Sequence, residues 1–195
     1  MKTANEVVQH HDLTAISRTM ARAFWDDPVF KVLFGDPVPF GPTSRFFARM
    51  ADIQLHHGFV HHTDGSEAVA IWAPPDEWKM PVATIVQNAP RLLQIFGRRT
   101  VANLGILSQM EKVHPNEPHY YLEFIGTDPD HQGKGLGSEL MGPMMDRCDR
   151  EGVGAYLESS NEANLAFYHR LGFERRPIIQ LNAGPTLYPM WRNPR

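Results

Sequence analysis

The sequence predicts an α+β fold, a mixed α/β sheet flanked by helices, and three observations carry that prediction. The early part of the chain is patterned for helices, a hairpin of antiparallel strands follows, and the last part alternates β-α-β-α-β. The apolar run Tyr120 to Ile125 leads through a glycine-rich turn into a segment where Leu136, Leu140, Met141, Met144, Met145 and Cys148 recur at helical spacing. Behind it, Val153 to Gln180 reads as strand, short helix, strand. No internal repeat or low-complexity segment interrupts the 195 residues, a length that fits one domain with a sizeable core.

Taken in order, Glu6 to His10 reads as a short first strand, and Asp12 is placed to cap a helix through Ile16, Met20 and Phe24. Trp25-Asp26-Asp27-Pro28 breaks that helix. A second short helix spans Val29 to Phe34 and ends at Gly35-Asp36-Pro37. Val38 to Thr43, rich in proline and glycine, reads as a loop, after which Ser44 opens a helix to about Leu55. Gly58 to His62 and Ala68 to Trp72, joined through Thr63-Asp64-Gly65, give a hairpin signal that Ala73-Pro74-Pro75 stops. Val82 to Met110 is helical in pattern, with breaks expected near Gly97 and Gly105. The helix after the glycine-rich turn ends near Glu151. Val153 to Ser159 is then a strand, Asn161 to Arg170 a short helix, and Phe173 to Gln180 with Pro185 to Trp191 a final strand pair. Ser159 and Glu162 fit a capping box, and Gly172 fits the glycine that ends a helix.

Composition excludes several functions. At 42% hydrophobic, 21% charged and a formal net charge of −3, the chain lacks the clustered basic face expected of a nucleic-acid binder. The single cysteine, Cys148, allows no internal disulfide and points to a reducing compartment; its place on an apolar helix face suits a core thiol. No apolar stretch of 18 residues and no secretory h-region occur, so a cytoplasmic protein without a membrane partner is expected. Ten histidines invite a metal, but adjacent pairs such as His61-His62 diverge on a strand, and neither H-E-x-x-H nor a second cysteine is present. No metal is expected.

The stretch Gln132-Gly133-Lys134-Gly135-Leu136-Gly137 carries the chemistry. Three glycines in five positions let backbone N–H groups converge, the following helix N-terminus adds unpaired donors, and Lys134 adds a full positive charge, with His131 beside it. The result is an anion cradle. A Walker A loop is ruled out because no lysine here precedes Ser or Thr in the G-x-x-x-x-G-K frame. A dinucleotide fingerprint is ruled out because Gly137 falls one residue early.

What remains, Q-x-x-G-x-G after an apolar strand, closely resembles the acetyl-CoA pyrophosphate loop of the GNAT superfamily of N-acetyltransferases. A second motif, Ser159 to Phe173, is similar to the helix of that superfamily whose Asn meets the pantetheine arm and whose Tyr lies beside the thioester sulfur. From about His114 onward the chain looks most similar to the puromycin N-acetyltransferase branch, with looser agreement through Ala23 to Pro28 and Ala70 to Pro75.

The resemblance implies a twisted, mostly antiparallel sheet of about six or seven strands, splayed beside Tyr120 to Ile125 where pantetheine enters. It implies one domain over 1–195, with 1–117 supplying acceptor-side helices and hairpin and 118–195 the acetyl-CoA-binding core. Acetyl-CoA is the expected cosubstrate, held by Phe124, Ile125, Gly126, Thr127, Gln132, Gly133, Lys134, Gly135, Leu136, Gly137, Ser138, Asn164 and Tyr168. Acetyl transfer goes directly to the primary amine of a small molecule. Tyr168 is expected to protonate the leaving thiolate; its alternative is plain core packing. Glu123, between Leu122 and Phe124, is a base if burial raises its pKa, and otherwise a solvent-facing edge residue. Phe24, Trp25, Asp26 and Asp27 stand where the acceptor should bind, although the two acids equally suit helix capping. Trp72 and Trp78 read as core or lid. A homodimer is compatible with the sequence. Two other functions remain open: an acetyltransferase of protein N-termini or lysines, and a non-catalytic acyl-CoA sensor.

Overall fold

The computed structural model describes residues 12–55, 58–79, 89–90, 92–182 and 184–195. The expected strand Glu6 to His10 and the start of the segment from Val82 lie outside them. Helices α1 (Asp12–Ala23), α2 (Pro28–Phe34) and α3 (Phe40–Leu55) precede strands β1 (Val60–His62) and β2 (Ala68–Ala73). Then come α4 (Thr100–Val113), β3 (His119–Thr127), α5 (Leu136–Glu151), β4 (Gly154–Ser159), α6 (Leu165–Arg170), and the short β5 (Glu174–Arg175), β6 (Ile179–Gln180) and β7 (Thr186–Arg192).

The seven strands form a sheet in the order β1-β2-β3-β4-β7-β5, with β6 added to β7. Every pairing is antiparallel except β3 with β4, as expected where α5 crosses between them. That parallel pairing is short. It joins His119–Tyr121 to Gly154–Tyr156 and stops, while β3 continues to Thr127 and β4 continues along β7 to Ser159. The two central strands therefore part, opening a gap through the sheet.

Alternation along the strands assigns the faces. Tyr120 and Leu122, Ala155 and Leu157, and Met190 pack against Leu140, Met141, Met144 and Cys148 of α5 and Leu165 and Tyr168 of α6. The opposite face holds α1 to α4. There Phe24, Phe30, Phe34, Phe46, Phe47, Phe96 and Phe124 interlock; Phe30 stacks on Phe47 at 5.1 Å and Phe47 meets Phe124 edge-on at 5.3 Å. Each such pair adds about 0.5–1.5 kcal/mol beyond its buried area.

A β-bulge separates these two patterns on β3. Ile71 of β2 opposes Phe124 and Trp72 opposes Leu122, so Glu123 is the extra residue. The bulge shifts the parity: Tyr120 and Leu122 face α5, Phe124 faces α3, and Ile125 again faces α5.

Several local expectations are corrected. The Pro/Gly stretch before Ser44 is not all loop, because α3 starts at Phe40 and takes in Gly41, Pro42 and Thr43 in its first turn, where a proline lacks no intrahelical partner. Gly105 does not break α4, which runs unbroken through it, while Gly97 lies in a 3-10 turn that precedes it. The predicted helix from Asn161 is a 3-10 turn, Glu162–Asn164, followed by α6. Its cap is Asn161, whose side chain accepts from the Ala163 N–H at 2.9 Å, rather than a Ser159–Glu162 box. Ser159 Oγ instead donates to the Asn161 carbonyl at 2.9 Å.

Candidate active site

The turn after β3 is held from a distance. Asp128 caps the 3-10 turn Pro129–His131 by accepting from the Asp130 N–H, and Arg22 of α1 donates to Asp128 at 2.7 Å and to Asp130 at 2.7 Å. Gln132 Nε2 donates to the Thr127 carbonyl at 3.3 Å, which folds the loop back on the strand end. Gly133 and Gly135 then take φ of +77° and +83°, the left-handed region, and among the described residues no atom beyond their chain neighbours lies within 4 Å of where either Cβ would be. The loop is open on that side.

Gly135 is also the residue from which α5 starts, and the first-turn N–H groups of Leu136 and Gly137 have no intrahelical acceptor. They share the helix's partial positive charge with the ammonium of Lys134, which is exposed and 3.5 Å from the Asp130 carbonyl. Such a cradle fits a pyrophosphate. Gly137 faces Phe167 of α6, whose ring a Cβ would meet at 3.4 Å, an ordinary van der Waals contact. Asn164 sits exposed at the start of α6, and Ser138 is the third residue of α5.

The gap between β3 and β4 connects this glycine-loop side to the helical side. Glu123, half-buried at the bulge, accepts from Gln54 Nε2 of α3 at 3.2 Å. Burial pushes its carboxyl up to about 7, and the Gln54 donor holds it from rising further. A group poised there can take a proton near neutral pH. Phe124 leaves the gap for the aromatic cluster, while Ile125 points to α5. Gly126 lies under α1: a Cβ there would stand 2.8 Å from Ala23 Cβ.

Tyr168 comes from the other face. It is buried in α6, and among the described residues its hydroxyl makes no hydrogen bond. Burial and the neighbouring Asp27 carboxylate raise its pKa, so it remains a protonated donor. Asp27 ties the two halves together. One oxygen caps α2 through the Val29 and Phe30 N–H groups at 2.9 and 3.0 Å, and the other accepts from Ser160 at the end of β4. Burial raises its carboxyl above the usual range against the pull of those donors.

The other acceptor-side candidates separate. Phe24 belongs to the aromatic core, Trp25 is 61% exposed, and Asp26 pairs with Lys31 at 2.5 Å. Trp72 is buried in the core and Trp78 stacks on His114. Cys148 is buried, its thiol pushed up to about 12 by burial, which suits packing and not nucleophilic attack. Among the described residues no group of three metal-type ligands forms, and no helix is long and apolar enough to cross a membrane.

Gln54, Ser160 and Arg22 carried no sequence signal. Each partners a residue 69 or more positions away, so only the fold brings them in.

Comparison with known proteins agrees with this fold. Residues 67–173 match the model of the acetyltransferase (GNAT) family. An uncharacterized N-acetyltransferase of Schizosaccharomyces pombe is 26% identical over 94% of this chain and 79% of its own length. Among solved structures, a Corynebacterium glutamicum protein described as histone acetyltransferase HPA2 and related acetyltransferase is 25% identical, covering 96% of this chain and 94% of its own with a TM-score of 0.68. Arylalkylamine N-acetyltransferase 2 of Aedes aegypti shares the fold at 13% identity and a TM-score of 0.66, over 97% of this chain and 98% of its own. The family match spans more than half of the chain and the fold is shared along almost its whole length: this chain belongs to the acetyltransferase (GNAT) family.

Proposed function

We propose that the chain acts as one domain that acetylates a primary amine of a small molecule, with acetyl-CoA as donor and direct attack in a ternary complex. The gap between β3 and β4 carries this reading, because it sets Glu123 and Tyr168 on opposite sides of one opening. Acetyl-CoA supplies an activated acetyl thioester. Gly133 to Ser138 bind its pyrophosphate, Gln132 shapes that loop, and Asn164 with the free edge of β3, Phe124 to Thr127, meets the pantetheine arm. The same edge polarises the thioester carbonyl. Glu123 takes the proton of the incoming amine and Tyr168 returns one to the departing sulfur. Asp27 adds a negative charge that favours an ammonium over a neutral guest.

The small-amine class is supported by the fold shared with an arylalkylamine acetyltransferase. Residues 1–117 would set the choice of amine and 118–195 the cofactor. The test is calorimetric titration with acetyl-CoA, then CoASH release with a panel of alkyl, arylalkyl and peptide amines. Amine-dependent release restricted to small amines is expected. Preference for peptide amines would overturn the substrate class, and binding without release from any amine would overturn the enzyme reading.

A further inference from the structure

Arg22, on helix α1 of the acceptor side, reaches over to the turn that opens the glycine loop. Its guanidinium spans two carboxylates. Nε donates to Asp128 Oδ2 at 2.7 Å, and Nη2 donates to Asp128 Oδ1 at 3.2 Å and to Asp130 Oδ2 at 2.7 Å. Among the described residues Asp130 has no second ion pair, and its side chain is 76% exposed. Asp128 has one other basic neighbour, His131, whose Nδ1 lies 4.0 Å from Oδ1.

The turn does not need Arg22 for its own backbone. Asp128 Oδ1 accepts from the Asp130 N–H at 3.0 Å, the Asp128 N–H donates to the Glu67 carbonyl at 2.8 Å, and the His131 N–H donates to the Asp128 carbonyl at 2.8 Å. These bonds explain why an aspartate stands at 128: it caps the turn. They leave a cost in charge. Asp128 and Asp130 immediately precede a cradle of open glycine backbone, helix N-terminal N–H groups and the Lys134 ammonium, all suited to an anion. Two carboxylates there repel the anion that the cradle attracts. Arg22 reduces their two negative charges to a net of one.

We propose that Arg22 is a positioning residue for acetyl-CoA, which masks Asp128 and Asp130 so that the pyrophosphate can approach the glycine loop. The inference rests on the reading of that loop as the pyrophosphate site. It makes α1, an acceptor-side helix, part of what sets cofactor affinity, across the division of roles between residues 1–117 and 118–195. An exposed ion pair contributes little to folding, so the effect belongs to ligand affinity and not to the melting temperature.

The test is calorimetric titration with acetyl-CoA of the wild type, of Arg22→Gln, and of Arg22→Gln combined with Asp130→Asn. At about 0.05 M salt, Arg22→Gln should weaken binding by roughly threefold to thirtyfold. The ratio of wild-type to variant affinity should fall toward one at about 0.5 M salt, because screening removes the repulsion that Arg22 otherwise masks. Asp130→Asn in the Arg22→Gln background should recover most of the low-salt loss, since an amide keeps the shape of the side chain without its charge. Equal affinity of wild type and Arg22→Gln at low salt would overturn the proposal. So would a ratio that salt does not change, or a loss that Asp130→Asn does not lessen, because either would mark a loss of shape and not of charge. A wild type that binds no acetyl-CoA would sink the pyrophosphate reading of the loop, and this inference with it.

Discussion

The two sides of the β3–β4 gap are built differently. On the proposed cofactor side the groups are neighbours in sequence: Gln132 to Ser138 follow the turn after β3, and the positive-φ glycines leave open space around the backbone. On the acceptor side the groups are strangers in sequence. Gln54 meets Glu123 across 69 positions, Asp27 meets Ser160 across 133, and the seven-phenylalanine cluster holds α1, α2 and α3 at the distances these contacts need. One side is set by local backbone chemistry, the other by long-range packing.

That contrast breaks most sharply at Gly135. With φ at +83° a branched residue is strained by roughly 1–3 kcal/mol, and its side chain would fill the open face of the cradle. Gly135→Val should weaken acetyl-CoA binding by more than about a hundredfold by calorimetry. Unchanged affinity would place the cradle elsewhere. The next effect falls across the gap: Tyr168→Phe should lower turnover by roughly tenfold to a thousandfold while acetyl-CoA affinity stays within about twofold. A normal turnover rate would remove the phenol from the reaction.

Much of the cofactor side was legible in the sequence because a strand, a glycine turn and a helix are contiguous, and the left-handed backbone at Gly133 and Gly135 can be read from residue type. The order of strands and helices followed from periodicity for the same reason. The start of α3 was missed because Gly41 and Pro42 read as loop residues, although a helix's first turn tolerates both. Ser159 looked like a cap by spacing, yet Asn161 occupies that role, since an Asx side chain closes a 3-10 turn two residues on. Glu123 was recognised as a candidate base, but the bulge that aims it depends on the register between β2 and β3, which no single strand encodes. Asp26 and Asp27 looked equivalent in sequence; the fold sends one to Lys31 and the other into the gap.

A smaller effect sharpens the same comparison. Gln54 donates to the ionised form of Glu123, so removing it should raise that carboxyl further above about 7. Gln54→Leu should therefore move the acid limb of the kcat/KM profile upward by roughly half a unit to one unit, with little change in acetyl-CoA affinity. A downward shift would contradict the assignment of that hydrogen bond.

The most direct test is the pH dependence of CoASH release in the wild type and in Glu123→Gln. A base must be ionised to act, so wild-type kcat/KM should be full above about 7 and fall tenfold per pH unit as pH drops below it. Glu123→Gln should be slower by roughly a hundredfold or more at neutral pH and should lack that limb. An unchanged limb in the variant would mean that another group, or the amine alone, sets the profile, and that Glu123 is not the base.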